Sequence, residues 1–307
     1  MESIINPGLS DAIMTKTIDP TSISQSELHS VLLTAVAPRP ICFASTVDKD
    51  GNVNLSPFSF FNVFSSNPPL MVFSPARSGR DNTLKHTHQN VKEVPEVVIN
   101  IVNHAMVEQM SLSSTAYDKG VNEFVKAGLT QAPSKKVGPP RVAESPVSFE
   151  CTVERIIELA ELPGAGNLIF AKVELIHING DYLDAQGQLD TRTLDLVGRM
   201  GGSWYTRSSG DSLFEIPKPI RTRSIGVDQL PEDIRNSSIL TGNNLGRLGN
   251  VEKLPDVAMV EEVSKTLGTD KPTSKMDLHR LAQEILEKEG DVQQALAILL
   301  YAQKFDS

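Results

Sequence analysis

Cysteine is scarce in this 307-residue chain, which has only Cys42 and Cys151. Neither belongs to a Cys-x-x-Cys pair, which excludes a dithiol-exchange motif and a zinc ribbon. Each is flanked by apolar residues in a strand-like run, the setting of a buried, reduced thiol. Positive charge is also short: 29 Lys and Arg against 38 Asp and Glu leave a formal net charge of −9. Phosphate backbones are neutralised by clustered Lys and Arg, so neither nucleic acid nor an anionic membrane surface is expected as a partner. No apolar run approaches the length of a membrane-spanning helix. The start, MESIINPGLSDAIMTK, lacks the basic opening and apolar stretch of a secretory signal, so a cytoplasmic protein is expected. Gly-x-Gly-x-x-Gly, Walker A and Gly-x-Ser-x-Gly patterns are missing, which leaves no Rossmann site or nucleophile elbow to build on. No internal repeat of fixed period is present.

What is there lies first between Arg39 and Thr83. Two strand-like runs, Ile41–Val47 and Val53–Phe61, are joined by the turn Asp48-Lys49-Asp50-Gly51, and a third, Leu70–Ser74, follows the breaker Asn67-Pro68-Pro69. Residues 81–92 have helical character. Glu96–Val102 is rich in β-branched residues. His104–Tyr117 reads as a helix, and residues 118–145 as a long irregular excursion. Val147–Leu162 and Leu168–Asn179 form a hairpin over the turn Pro163-Gly164-Ala165-Gly166-Asn167. Ahead of these, Ser24 is placed to cap a helix Gln25–Thr34 with Glu27 at the capping-box position. Strands outnumber helices and connect by short turns. A mainly β fold with helical additions is expected, a closed or split barrel rather than a doubly wound sheet.

The last third differs. Residues 207–272 are rich in turns and prolines with isolated apolar anchors, which suggests an extension wrapping over a surface. Two helices follow over residues 273–305. Ser274 or Thr273 caps the first, Gly290 ends it and Asp291 caps the second. Four segments result: an N-terminal arm (1–29), the barrel (30–207), the extension (208–272) and a C-terminal helical hairpin (273–307). The hairpin has one apolar face, suited to the extension, the barrel or another chain.

Charge and hydroxyl groups converge after the third strand. Arg77, Arg80 and Thr83, with a helix starting near residue 82, supply donors for a phosphate dianion, and Asp81 can organise an arginine. Ser45, Thr46, Ser59 and Asn62 can hydrogen-bond the edge of a flat aromatic ring, and Phe60 or Phe61 can pack on its face. A flat ring carrying a phosphate points to flavin mononucleotide, FMN. In a continuous strand Phe58 and Phe60 share one face and Ser59 and Phe61 the other, so at least one phenylalanine belongs to the core. His86 and His88, two apart on a helix, point roughly 200° apart and cannot share a metal ion. His177, in an apolar strand, reads either as a satisfied structural histidine or as a donor to a nicotinamide or flavin edge.

The strings RPxxFASTxDxxGxxNxSPFSFFNxxSxNPP and EFVKAGLT, with Pro139-Pro140-Arg141-Val142, Glu144-Ser145-Pro146 and Glu150-Cys151, resemble the flavin reductase-like proteins over roughly residues 30–207. That family includes flavoredoxins and the reductase components of two-component monooxygenases. The resemblance implies an FMN-binding split β-barrel, a homodimer with flavin near the subunit interface. It implies that Ser45, Thr46, Ser59, Phe60 and Asn62 line the flavin and that Arg77, Arg80, Asp81 and Thr83 hold the phosphate end, with Phe61 and Asn82 beside them as further cofactor-binding candidates. His177 then lies near the nicotinamide, as the catalytic residue, and Tyr205 reaches the site. This chain reads Arg80-Asp81-Asn82-Thr83 where family members commonly read Lys-Asp-Thr. The implied activity is NADH- or NADPH-dependent reduction of FMN, with electrons passed to free flavin, a partner oxygenase or another acceptor. The alternative is an FMN-carrying electron-transfer or storage protein without NAD(P)H activity.

Overall fold

A computed structural model describes residues 15–216, 223–267 and 274–305. Residues 1–14 of the expected arm, 217–222 and 268–272 of the expected extension, and the alternative cap Thr273 lie outside the described residues. Two compact units are present, one formed by Ile18–Phe214 and one containing Glu215–Ser307.

In the first unit, Ser24 opens α1 (Gln25–Ala35) with a reciprocal capping box to Glu27, as Ser-x-x-Glu predicts. After β1 (Arg39–Pro40), β2 (Cys42–Val47) and β3 (Val53–Phe58) pair antiparallel from Cys42↔Phe58 to Val47↔Val53. Asp48 shapes their turn by accepting the amides of Asp50 and Asn52, while Gly51 takes φ 82°, a conformation cheap only for glycine.

The expected strand Val53–Phe61 is broken. It stops at Phe58, Ser59 and Phe60 form a bend, and β4 (Phe61–Ser66) runs back against β5 (Pro69–Phe73). The bend resets the alternation of side chains. Phe58 and Phe61 therefore both face one core, contrary to the parity of an unbroken strand, and the Phe58 and Phe73 rings lie 5.4 Å apart.

The chain continues through α2 (His86–Glu93), β6 (Glu96–Ile101), α3 (Val107–Ser113) and α4 (Glu123–Ala127). The short pair β7 (Gln131–Ala132) and β8 (Arg141–Val142) follows, then the long hairpin β9 (Val147–Glu158) and β10 (Asn167–Ile178). A last hairpin, β11 (Leu196–Arg199) and β12 (Tyr205–Ser208), joins β1 in a small sheet. The main sheet has the order β3-β2-β6-β9-β10-β5-β4. Its two edge strands, β3 and β4, are consecutive in the chain, so the bend at Ser59–Phe60 ties the edges together and the sheet must curl. That is the barrel the strand pattern implied.

Alternate residues from Ile41 into β2 face two cores. Cys42 and Ala44 pack with Phe58, Phe73, Ile99, Cys151 and Ile169, whereas Ile41 and Phe43 pack with Leu55, Met106, Met110 and Phe124. Both cysteines are buried and free, and burial pushes the Cys151 thiol up to about 12. Residues 118–145 are not irregular throughout. Side-chain acceptors pin them: buried Glu150 takes the amides of Lys135 and Lys136, half-buried Glu96 that of Gly138, and buried Asn100 that of Val142.

The C-terminal unit corrects the expectation of a wrapping extension. It contains α5 (Glu232–Arg235), α6 (Gly242–Leu248), α7 (Val257–Thr266), α8 (Lys275–Lys288) and α9 (Val292–Ala302). The isolated anchors Leu230, Ile234, Leu245, Leu248 and Val260 share one core with Leu278, Leu286, Leu296 and Leu299. Each such fully buried leucine stabilises by roughly 1.5–3 kcal/mol. Ser274 and Asp291 cap α8 and α9 as expected. Ser237 and His279 lock the unit: the Ser237 hydroxyl oxygen accepts the amides of Ile239 and Leu240 and lies 2.7 Å from His279 Nδ1. With its acceptor sites filled, the hydroxyl donates to Nδ1. Among the described residues no helix is long and apolar enough to cross a membrane.

Candidate functional site

The turn after β5 is rigid before any ligand is considered. Ser78 donates its amide to the Thr83 carbonyl, and Asn82 returns its amide to the Ser78 carbonyl. Asn82 adopts φ 60°, a left-handed conformation that asparagine tolerates better than most residues. Its side-chain amide bonds the Glu161 carbonyl at 3.1 Å, and Arg77 Nη1 bonds the Asn82 carbonyl at 3.1 Å. The extra residue in Arg80-Asp81-Asn82-Thr83 is thus absorbed as a corner. Asp81 accepts both the amide (3.1 Å) and the hydroxyl (2.7 Å) of Thr83. Hydrogen bonds from Thr83 and Ser78 hold the Asp81 carboxyl at about 2, so it stays ionised. The Arg80 guanidinium, 86% exposed, touches Asp81 only at 3.7 Å, and its donors remain available.

This turn forms one wall of a cleft of about 400 Å³, within the range of roughly 300–1,000 Å³ usual for small-molecule sites. Ser78, Arg80, Asp81, Thr83, Lys85 and His86 face the end of β3, Ser56-Pro57-Phe58, with Ser114–Tyr117 and Glu123 completing it. Burial and the neighbouring Lys119 and Lys85 push His86 below its ordinary value. Pro57, Phe58 and Ser114 also line a second cleft of about 170 Å³ with Ile41, Ser59, Met110, Arg199 and Tyr205. There the Arg199 guanidinium stacks on the Tyr205 ring at 4.6 Å. The two clefts share a wall; the larger is lined by cations, and the smaller mixes Ile41, Phe58 and Met110 with hydroxyls and the Arg199 guanidinium.

Of the residues singled out in the sequence, Arg80, Asp81 and Thr83 line the larger cleft, and Ser59 and Tyr205 the smaller. Arg77 and Asn82 brace the turn. The others lie elsewhere. Ser45 and Thr46 have no exposed surface, and Thr46 accepts from Asn90 within the fold. Phe61 packs on the inner core. Phe60 and Asn62 are exposed where the chain turns into β4 and line neither cleft; Asn62 Oδ1 accepts the Val63 amide. His177 also lines neither cleft, because its Nε2 lies 2.6 Å from the fully buried Glu150 carboxylate. The expected helix start near residue 82 moves to His86, since the turn ends only at Lys85.

Lys85, His86, Tyr117, Arg199 and Glu123 were not singled out in the sequence as site residues. Only Glu123 carried a signal, inside the string EFVKAGLT, and that string named no role for it. Asn122 caps α4 by accepting the Phe124 amide, and this sets Glu123 against β3, where its Oε2 accepts the Leu55 amide at 2.9 Å.

The flavin reductase like domain signature matches residues 35–193. An uncharacterized protein of Aquifex aeolicus is 36% identical over 189 residues, 62% of this chain and 94% of its own. Nitrilotriacetate monooxygenase component B from Bacillus cereus superposes with a TM-score of 0.61 at 27% identity, over 66% of this chain and 98% of its own. A Shewanella frigidimarina protein described as a flavin reductase by assignment, with a split barrel domain, gives 0.55 at 25% identity, over 64% of this chain and 95% of its own. The match spans most of the barrel unit and ends before the helical one. By its strands, its seam and these relatives, the chain belongs to the flavin reductase like domain family.

Proposed function

We propose that the barrel unit binds FMN across the two clefts and acts as an NADH- or NADPH-dependent flavin reductase. One observation carries this reading: a pre-formed turn presents Arg80, with hydroxyls beside it, opposite the end of β3 in a domain of this family. The residues fit the group. The Arg80 fork and the Lys85 ammonium match a phosphate, while the Ser78 hydroxyl, which accepts the amides of Arg80 and Asp81, holds the turn in shape. Pro57, Phe58 and Met110 offer an apolar wall for a flat ring.

When bound, flavin supplies the redox chemistry, accepting a hydride from reduced nicotinamide and delivering electrons onward. The chain binds and orients. Asp81, held ionised, keeps the turn closed and steers Arg80. Hydride transfer needs no protein acid or base, in keeping with a site of binding residues and no triad. A second copy would cover the exposed apolar side chains Val63 and Phe64 of β4, which supports a homodimer. The acceptor is free flavin or a partner such as an oxygenase.

A second reading has its own support. His177 is committed to Glu150 and lines neither cleft of its own chain, which favours an electron-transfer flavoprotein without nicotinamide activity. The absorbance spectrum of purified protein, before and after anaerobic NADH or NADPH, separates the two. A flavin band that bleaches supports the reductase, and one that persists supports the carrier. No band after added FMN refutes both. In Arg80→Ala, FMN affinity is expected to fall by about 10- to 100-fold, the value of one charge-assisted bond; unchanged affinity refutes the phosphate assignment.

A further inference from the structure

Glu123 is 4% exposed, yet it belongs to the wall of the larger cleft. Its Oε2 is used by the Leu55 amide. Apart from the Leu55 amide, only the residue's own backbone amide hydrogen-bonds the carboxylate, and no other described residue satisfies Oε1. Among the described residues no Lys, Arg or His pairs with the carboxylate, although Arg80 and Lys85 line the same cleft. Burial raises its pKa. Sealing the amide of an edge strand would need only a neutral oxygen. A buried carboxylate is a costly way to do it unless its second oxygen also has a donor to meet.

We propose that Glu123 is the acceptor for a hydroxyl of the ligand's polyol chain, so that this cleft reads a ribityl group and not only a ring and a phosphate. The inference rests on the flavin reading above. The division of the two clefts carries it further. The smaller cleft, with Ile41, Met110 and Tyr205, offers apolar contacts for a ring, whereas Glu123 shares the larger one with the cationic turn. A chain linking ring to phosphate must cross the larger cleft, and hydroxyls are its only donors. An acceptor beside an anion-binding turn also discriminates: it disfavours a carboxylate- or phosphate-bearing ligand whose linker has no hydroxyl to offer.

The test measures binding, not turnover, by flavin fluorescence quenching with the full-length protein. The probes are FMN, riboflavin and lumiflavin, which keeps the ring but lacks the polyol. Glu123→Gln keeps an oxygen for the Leu55 amide and replaces the charged acceptor with a neutral NH2, from which a hydroxyl can only accept. The expected result is FMN and riboflavin affinity about 5- to 10-fold weaker, with lumiflavin unchanged. Equal effects on all three ligands, or no effect, overturn the polyol contact and leave the flavin reading standing. Wild-type protein that binds no flavin overturns both. If Glu123→Gln does not fold, the wild-type protein alone decides. Riboflavin binding about tenfold or more tighter than lumiflavin supports the contact, and equal binding overturns it.

Discussion

Replacing Glu150 is expected to be the most damaging single change in the barrel unit outside its apolar core. The carboxylate is fully buried and accepts three donors: the amides of Lys135 (2.8 Å) and Lys136 (2.5 Å) and Nε2 of His177 (2.6 Å). Glu150→Ala leaves two amides and an imidazole facing a void. Leaving buried donors without their acceptor costs about 1–3 kcal/mol for each group, so a loss of at least about 3 kcal/mol is expected. Glu150→Gln keeps one good acceptor and gives up the charge, so a loss of about 1.5–3 kcal/mol is expected. Urea unfolding followed by far-ultraviolet circular dichroism reads both. With a slope of about 1–3 kcal/mol/M, the Ala variant should shift the barrel midpoint by more than about 1 M and the Gln variant by roughly half as much. The pH dependence has a definite sign. Burial alone would raise the Glu150 carboxyl, but the Lys135 amide, His177 and the Lys136 amide outweigh it, and the net shift is downward. A depressed carboxyl contributes stability that is complete above its ordinary value and lost as pH falls through the folded value. The gap between wild type and Glu150→Gln should therefore be constant near neutrality and close in acid. A midpoint shift in Glu150→Ala of less than about 0.3 M would refute the reasoning, because the 133–138 segment would then be held by something other than this carboxylate.

Further outcomes can be checked in the same preparations. Asn82→Ala removes the amide bond to Glu161 and a side chain suited to φ 60°; a loss of about 1–2 kcal/mol and weaker FMN binding are expected by urea melts and fluorescence titration. In Gly249→Ala the new Cβ would meet the Gly226 and Val227 backbone at 2.9 Å, so the helical unit should lose about 1–3 kcal/mol, read from its helical circular dichroism on heating. Burial pushes His279 below its ordinary value against the pull of Asp233. The unfolded chain then takes up the proton first, and the helical unit loses stability as pH drops below about 6.5. A His279→Gln variant with the same slope between pH 7.5 and 5.5 would refute that assignment.

Much of the barrel is legible in the sequence because local rules and global fold agree there. Ser24-x-x-Glu27 fixes a helix start, Asp48 to Gly51 a hairpin turn, and β9–β10 a long alternating ribbon. The break at Ser59–Phe60 is not legible, since Phe58-Ser59-Phe60-Phe61 alternates like any strand and only closure of the sheet bends it. The same failure misplaced Phe60, Phe61 and Asn62. Ser45 and Thr46 look like ligand hydroxyls because polar residues in a strand usually face water; here both are fully buried. The turn after β5 was visible as a cluster of Arg, Asp and Thr, whereas Glu123, Tyr117 and Lys85 come from separate elements and meet only in three dimensions. In the C-terminal third, apolar anchors spaced too widely for one helix read as a wrapping strap. Short helices gather those anchors, and no local periodicity announces a core assembled from five of them.

The seam of the barrel has a mechanical consequence. Because the first and last strands of the sheet are joined by two residues, each edge is confined near the other at a very high effective concentration, and closure costs little chain entropy. The shared wall of the two clefts, Pro57 and Phe58, lies directly before that joint, and Ser74, at the end of β5, donates its amide to the Phe60 carbonyl beside it. A ligand spanning both clefts would act as a rivet beside a hinge. Cleaving the backbone between Ser59 and Phe60 would keep every strand pairing but free the two edges to part. Bound ligand, rather than the covalent chain, would then hold the barrel shut.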